Sequence, residues 1–259
     1  MTILNYKELI SLPENFDCTS VTKIDVSNCK LRSLTELKLK RFVNLQKLDC
    51  SSNELSNLDE LVNCTSLQKL ICCNNRLINL NGLFNCTSLQ KLDCSFNELS
   101  NLDGLVNCTS LQELHCANNR LIDLNGLFNC TSLQKLDCSF NELSNLNGLF
   151  NCTSLQKLDC SSNELSNLDE LVNCTSLQKI YCEYNQLVNL DGITNCTSLE
   201  RLWCCYNQLT SLLPIRNLRN LQINYYDNPF KEPHHPDVLR ILNRDKNNTY
   251  DNTQNVHDS

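Results

Sequence analysis

Nineteen cysteines and seven Asn-Cys-Thr triplets are the residues of this 259-residue chain whose types and spacing could do chemistry. The stretch NCTSLQKLDC occupies residues 85–94 and returns unchanged at 129–138 and 151–160. Three chemistries fit it on paper. Asn-Cys-Thr is an N-glycosylation acceptor. Two cysteines eight apart could close a disulfide. Thiols at fixed spacing could hold a metal. The first two need export, and the start MTILNYKELISLPENFD has no basic segment followed by an apolar one, so it reads as no signal peptide. Inside a cell glutathione keeps thiols reduced, and an odd cysteine count suits a disulfide framework poorly. The net charge of −7 argues against nucleic acid as the partner. There is no apolar run of the roughly 18 residues that a membrane helix needs. The composition therefore points to a cytoplasmic chain with free thiols and no membrane contact.

What positions those cysteines is a repeat. Leu45, Leu67, Leu89, Leu111, Leu133, Leu155, Leu177 and Leu199 stand in steps of 22, with weaker copies at Val21 and near Leu221. Residues 45–66 recur letter for letter at 155–176. Residues 45–88 match 89–132 except at positions 52, 60, 69, 71, 73 and 79 of the first copy, the mark of duplicated repeat pairs. Within one copy the apolar positions read Leu67, Leu70, Cys72, Leu77, Leu80, Leu83 and Cys86. The step from Leu70 to Cys72 has the period of two that a strand gives. The three-residue steps that follow suit 3₁₀ turns. No stripe at 3.6 residues is long enough for a regular helix within the repeats. One such unit cannot bury its apolar edge alone, whereas stacked units form a solenoid with a continuous core.

The pattern LxxLxCxxNxLxxL resembles the leucine-rich repeat signature LxxLxLxxNxL, with cysteine in place of the third leucine, over about residues 18–230. The 22-residue length resembles the short class found in bacterial internalins and in a regulatory subunit of protein phosphatase 1. The near-identical, cysteine-rich copies resemble leucine-rich repeat proteins of mimivirus-like giant viruses. The resemblance implies an α/β solenoid: a right-handed superhelix with a parallel β-sheet of short strands on its concave side. The convex side would be 3₁₀ or irregular, with little regular helix. The expected organisation is an N-terminal cap over 1–20, the solenoid over 21–230, a cap helix over 231–244 and a disordered tail over 245–259.

Stacked strands lie about 4.8 Å apart, so each repeat position becomes a column. Asn53, Asn75, Asn97, Asn119, Asn141, Asn163, Asn185 and Asn207 form one, and Cys29 takes its place in the first copy. In leucine-rich repeats the equivalent asparagine sits inside the turn. An amide has donors and an acceptor to satisfy the peptide groups left unpaired there. Cys50 through Cys204 and Cys64 through Cys196 form two more columns, read as inert core. Parallel Cβ vectors hold neighbouring rungs near 4.8 Å, too far for the roughly 3.8 Å of a disulfide, and a parallel column does not converge on a metal. Cys73 and Cys205 each follow a core cysteine, so both are expected to point outward. Gly82, Gly104, Gly126, Gly148 and Gly192 share one position, read as a backbone bend.

The residues flanking each strand leucine should line the concave face, the usual binding surface of the family it resembles. They read Lys23, Lys47, Lys69, Lys91, Glu113, Lys135, Lys157, Lys179 and Arg201 before it, and Asp25, Asp49, Ile71, Asp93, His115, Asp137, Asp159, Tyr181 and Trp203 after it. Opposite columns partly cancel, which leaves a polar, solvated face over the middle. Tyr181, Tyr184, Trp203 and Tyr206 break this pattern in two successive coils and are the candidate protein-binding residues. Phe96 and Phe140 could extend them. Tyr225 and Tyr226 belong to the next coil, whose register is open because Asn228 arrives one residue early. At the end, Val238, Leu239, Ile241 and Leu242 should pack a short helix onto the core, with His234 and His235 in the same cap.

No catalytic constellation emerges. There is no glycine-rich phosphate loop, acidic residues recur in columns rather than converge, and His115 is the one histidine of the proposed face. The sequence thus predicts a monomeric, non-enzymatic module that binds an unidentified protein and needs no cofactor or metal. A regulatory or targeting subunit for a phosphatase or ubiquitin ligase is a second possibility, carried by the resemblance alone. A structural component of a virion or matrix is a third. A viral chain would work in the host cytoplasm.

Overall fold

The computed structural model describes residues 2–218, 220–230 and 236–246. Among them, eleven strands form one parallel sheet in sequential order. The repeated strands are three residues long: Lys47–Asp49 (β3), Lys69–Ile71 (β4), Lys91–Asp93 (β5), Glu113–His115 (β6), Lys135–Asp137 (β7), Lys157–Asp159 (β8), Lys179–Tyr181 (β9) and Arg201–Trp203 (β10). Val21–Asp25 (β2) precedes them and Gln222–Asn224 (β11) follows. In each three-residue strand the central residue is buried, while the residues on either side of it look outward. The register pairs like with like, Leu92 with Leu114 and Leu114 with Leu136, so one 22-residue step is one rung.

After the strand the chain keeps bonding to the next coil. The Cys94 amide donates to the His115 carbonyl at 2.8 Å, and the Cys116 amide to Asp137 at 2.8 Å. The three-residue apolar steps are 3₁₀ turns. Leu105 donates to Leu102 at 2.9 Å, Cys108 to Leu105 at 2.8 Å and Leu111 to Cys108 at 3.0 Å. A three-residue period keeps successive leucines on one side, which is why Leu102, Leu105, Cys108 and Leu111 are all buried. Full burial of one such leucine contributes about 1.5–3 kcal/mol. It is repeated in every coil and shared with both neighbours.

The asparagine column closes the turns. Asn119 Oδ1 accepts from the Leu99 amide at 3.0 Å, and its Nδ2 donates to the carbonyls of Cys94, Cys116 and Ala117. In the first copy Cys29 supplies one of these bonds, its thiol donating to the Ser27 carbonyl at 3.2 Å. The last coil fixes the open register. Asn228 Oδ1 accepts from Leu209 at 2.9 Å and its Nδ2 donates to Cys204 at 2.9 Å, so Asn228 is the final member of the column. Ile223 pairs with Leu202, two residues after Leu221 rather than three, and the missing residue lies just before the strand. Tyr225 therefore takes the inward cysteine rung and packs on the core, while Tyr226 faces out.

The glycine column lies at the centre of 3₁₀ turns, as the expected bend requires, and close approach is what demands glycine there. None of the five glycines has a positive φ. A Cβ on Gly126 would overlap the Leu102 carbonyl oxygen of the preceding coil. Glu60 and Glu170 stand at the same position in two other coils, and Glu170 Oε2 is buried without a partner.

Both ends are covered. A strand absent from the sequence reading, Thr2–Asn5 (β1), pairs parallel with β2. The helix Tyr6–Ile10 (α1) follows, capped by Asn5 and Glu8 and burying Leu9. At the other end Pro236–Lys246 (α2) buries Val238, Ile241 and Leu242. Leu239 does not join them: it is 39% exposed, because the spacing 238, 241, 242 already fills the inward stripe of the helix. Asp245 and Lys246 finish α2, so the first two residues of the expected tail are helical. His234, His235 and residues 247–259 lie outside the described residues.

Candidate functional site

The outward strand positions make the concave face. Over its middle, charges are paired. Glu113 is 2.7 Å from Lys91 and 3.8 Å from Lys135. Its other close neighbour is His115 at 3.3 Å. The Lys91 ammonium, with His115 and Lys135, holds the Glu113 carboxyl down at about 2 despite its partial burial. Asp25, Asp49, Asp93, Asp137 and Asp159 cap their own turns, each accepting from the amide two residues on. Much of the acidic column is thus occupied with the local backbone.

The last coils differ. Pairing of β9, β10 and β11 sets Lys179, Arg201 and Gln222 in one row and Tyr181, Trp203 and Asn224 in the next. Tyr181 and Trp203 meet edge to face, with ring centroids 4.9 Å apart and planes at 72°. Lys157 Nζ stands 5.5 Å from the Tyr181 ring and Arg201 Cζ 5.8 Å from the Trp203 ring, both within cation–π range. Arg201 is half-buried and fixed by two neutral acceptors: Nε donates to Gln222 Oε1 at 3.0 Å and Nη1 to the Tyr181 hydroxyl at 3.2 Å.

Three residues beyond Tyr181 and Trp203, Tyr184 and Tyr206 stack at 4.3 Å with planes within 8°. They are 55% and 46% exposed, and Trp203 is 37% exposed. All four candidate aromatics therefore lie in two adjacent coils and touch in pairs. Phe96 and Phe140 occupy the same column as Tyr184 and Tyr206 and are exposed, but Asn118 and Ser162 separate them from each other and from the tyrosines. The whole column has left-handed backbone, with φ of 55° at Phe96, 53° at Phe140, 54° at Tyr184 and 55° at Tyr206.

Glu183 and Arg201 were not among the sequence-level candidates. Glu183 falls in a column of serine, cysteine and alanine, and that oddity was the readable signal. Its Oε2 is 3.2 Å from Ser161 Oγ, which also serves Asp159. Burial pushes the Glu183 carboxyl up to about 7, and Asp159 adds to the rise. Arg201 was legible only as one cation among many. An apolar column on the return path was also missed: Phe84, Phe128, Phe150 and Val172 are exposed at one repeat position.

The outward expectation for the paired cysteines is corrected. Cys205 is buried, at 6% exposure, and Cys73 is half-buried. The whole position after the cysteine rung is sheltered, since Ser95, Ala117 and Ser139 are buried there as well. Burial pushes both thiols up to about 11, away from reactive thiolate. The rungs behave alike, with Cys86 pushed up to about 12. All nineteen cysteines are free. Among the described residues no cluster of three histidine, cysteine, aspartate or glutamate side chains could hold a metal ion, and no helix is long and apolar enough to cross a membrane. The asparagines of the Asn-Cys-Thr triplets are used in stacking: Asn107 Nδ2 donates to the Phe84 carbonyl at 3.2 Å, and Asn85, Asn129, Asn151 and Asn195 do the same in their coils.

The profile of the family described as Leucine Rich repeats (2 copies) matches overlapping windows 87–129, 109–151, 131–173, 153–195 and 175–217, each spanning two of these coils. The chain belongs to the leucine-rich repeat family. Its structure is similar to that of a leucine-rich repeat protein of Leptospira interrogans, with 30% identity and a TM-score of 0.80 over 93% of this chain and 62% of that one. It is similar in fold to an internalin of Listeria monocytogenes, with 19% identity and a TM-score of 0.69 over 86% of this chain and 78% of that one. The plant peptide hormone receptor RGFR1, solved in complex with RGF2, shares the fold at 23% identity and a TM-score of 0.73, over 86% of this chain and 39% of the receptor. No curated protein sequence matches this one. The leucine-rich repeat is a protein–protein interaction scaffold, and this chain has its solenoid with an open concave sheet.

Proposed function

We propose that this leucine-rich repeat chain is a non-enzymatic binding module that holds a protein partner on the C-terminal part of its concave face. Tyr181, Trp203, Tyr184 and Tyr206 would be the anchors. The observation that carries this reading is the backbone of the two outer tyrosines. A bulky residue in the left-handed region costs about 1 kcal/mol or more, and asparagine is the residue that tolerates it. Asn74 and Asn118 take that solution at the same position, with φ of 55°. Tyr184 and Tyr206 hold the strained conformation while keeping their rings in solvent, where they contribute little to the core. Strain retained for an exposed aromatic pair supports a surface role. RGFR1, a structural relative, is solved with a bound peptide hormone, which agrees with this reading. The nineteen unpaired thiols suit a reducing compartment, so we place the module inside the cell, as a monomer.

Affinity purification from the native cell tests it, with the wild-type chain beside the double variant Tyr181→Ala, Trp203→Ala. The expected result is a protein recovered with the wild type and lost with the variant. Equal recovery with both would remove the aromatic patch from the reading.

A further inference from the structure

The proposed function leaves the chemistry of the partner open. The row Lys179–Arg201–Gln222 narrows it, resting on that same reading of the concave face. Over the middle coils Lys47, Lys91, Lys135 and Lys157 each run beside an aspartate, and Lys91 and Lys135 meet Glu113 within 4.0 Å. In β9 and β10 the acidic column is replaced by Tyr181 and Trp203, while the basic column continues as Lys179 and Arg201. Among the described residues no carboxylate lies within ion-pair distance of Lys157, Lys179 or Arg201.

Arg201 is the notable member. Lys157 is exposed and carries its charge in water, and Lys179, although half-buried, is a flexible point charge that fixes no geometry. A half-buried guanidinium has given up part of its hydration, and here it is held in place by Gln222 and Tyr181, which are both neutral. Those two bonds use Nε and one Nη1 donor, and no described residue accepts from Nη2. A fixed planar fork of this kind matches a carboxylate better than any other common side chain does. The rings of Tyr181 and Trp203 lie directly beside it, 4.9 Å apart, as a platform for an apolar side chain. A partner residue placed on that platform puts its sequence neighbours within reach of Arg201 and Lys179.

We infer that the partner presents an acidic side chain, Asp or Glu, next to an aromatic or branched aliphatic one, with the carboxylate on Arg201 and the apolar group on Tyr181 and Trp203. The occupant is an extended segment of a protein. The neighbouring Lys157 and Lys179 extend the positive field along the same row, so charge complementarity steers the segment as well as seating it. Asp159 pairs with Tyr181 across β8 and β9, and Glu183 follows β9. Burial raises the Glu183 carboxyl to about 7, so near neutral pH it carries only part of a negative charge.

Selection from a displayed random peptide library on the full chain tests the inference, because displayed peptides are unphosphorylated and carry no preset answer. Enriched sequences are then made with amidated C-termini and titrated against the fluorescence of Trp203, the one tryptophan of the chain. The expected peptides carry Asp or Glu within two residues of Tyr, Phe, Leu or Ile. Changing that acid to its amide weakens binding at least tenfold. Arg201→Gln causes the same loss, and combining the two changes adds nothing further. The comparison of acidic and amide peptides on the wild type needs no variant to fold. Enriched peptides that lack an acid, yet lose binding to Trp203→Ala, would overturn the inference and leave the proposed surface standing. Peptides indifferent to both Arg201→Gln and Trp203→Ala would overturn both. An empty selection, or binding that needs a free C-terminal carboxylate, would overturn the acidic side-chain assignment.

Discussion

Tyr184 and Tyr206 lie face to face, with centroids 4.3 Å apart, although each sits on left-handed backbone. The stack offsets some of the conformational cost, since an aromatic pair contributes about 0.5–1.5 kcal/mol beyond area burial. A single Tyr→Asn change removes the strain and the stack together. The double variant Tyr184→Asn, Tyr206→Asn loses the stack once and relieves the strain twice. It should be as stable as the wild type, or more stable by up to about 1 kcal/mol. Urea unfolding followed by circular dichroism measures this. A loss of more than 1 kcal/mol would mean that the tyrosines are structural, and it would undercut their reading as binding anchors.

The asparagine column should behave in the opposite way. Asn119 makes one bond through Oδ1 and three through Nδ2, all to buried or half-buried backbone. Asn119→Ala leaves the Leu99 amide unpaired, while the carbonyls keep second donors from Asn97, Asn141 and the Phe96 amide, so a loss of about 1–3 kcal/mol is expected. Asn119→Asp keeps the acceptor, loses the donors and adds a charge, and should be at least as damaging. The same urea titration reads both variants. A change below about 1 kcal/mol for Asn119→Ala would show that water or neighbouring groups replace the amide.

Stacking distance on the return path is controlled by the glycine column. Gly126→Ala forces a Cβ against the Leu102 carbonyl oxygen and should destabilise by about 2 kcal/mol or more, through separation of two coils. Glu170→Gly removes a buried carboxylate oxygen that has no partner. It should gain about 1 kcal/mol despite the added chain entropy of glycine. Opposite signs for two changes at one repeat position form a demanding check, and equal signs would refute it.

Glu183 sets a pH dependence. Its folded-state carboxyl titrates at about 7 against an ordinary 4.5. It faces Asp159 and Ser161 from the preceding coil and Cys205 from the next. Between these two pH values the folded chain keeps a proton that the unfolded chain has lost. The contribution of this group to stability therefore falls as pH rises from about 4.5 to about 7, and is level above that. Glu183→Gln should remove the slope and be more stable than the wild type at pH 8 by about 1–2 kcal/mol. Thermal unfolding of both proteins at pH 5, 6, 7 and 8 resolves this. Parallel profiles would show that Glu183 is solvated.

Thiol titration tests the two cysteine columns. With burial pushing Cys86, Cys130, Cys152 and Cys196 up to about 12, the native chain should react slowly with an aromatic disulfide reagent at pH 8. The first thiols to react should be the half-buried Cys29 and Cys73, themselves slowed by their raised pKa, and all nineteen should react after unfolding in denaturant. Cys205 is the discriminating residue. Fast labelling there, mapped by mass spectrometry, would contradict its burial.

Most of the fold was legible because a solenoid is nearly one-dimensional: a position in the repeat is a position on the surface. The columns at Lys47, Leu48 and Asp49 follow from a 22-residue step and strand alternation alone. The misreadings fall where neighbouring coils interact. Cys205 follows an inward residue, and alternation sends it outward, but the position is sheltered in the stack, where Ser95, Ala117 and Ser139 are buried too. The glycines share a position that a linear reading takes for a bend; the turn is there, but only contact with the preceding coil explains why glycine fills it. The register of the last coil needed Asn228 and its partners Leu209 and Cys204, which lie 19 and 24 residues away in sequence.

The sequence by itself determined the repeat, the strand on its concave side, the inward leucine and cysteine columns and the location of the aromatic residues in the last coils. These depend on periodicity, and periodicity is written in the chain. Only the tertiary structure decided which of those residues act together. It paired Tyr181 with Trp203 and Tyr184 with Tyr206, left Phe96 and Phe140 apart, and set Arg201 between neutral acceptors beside an aromatic platform. Such contacts depend on the angle and separation of adjacent coils, set by side chains 20 or more residues apart, and no local pattern carries that distance.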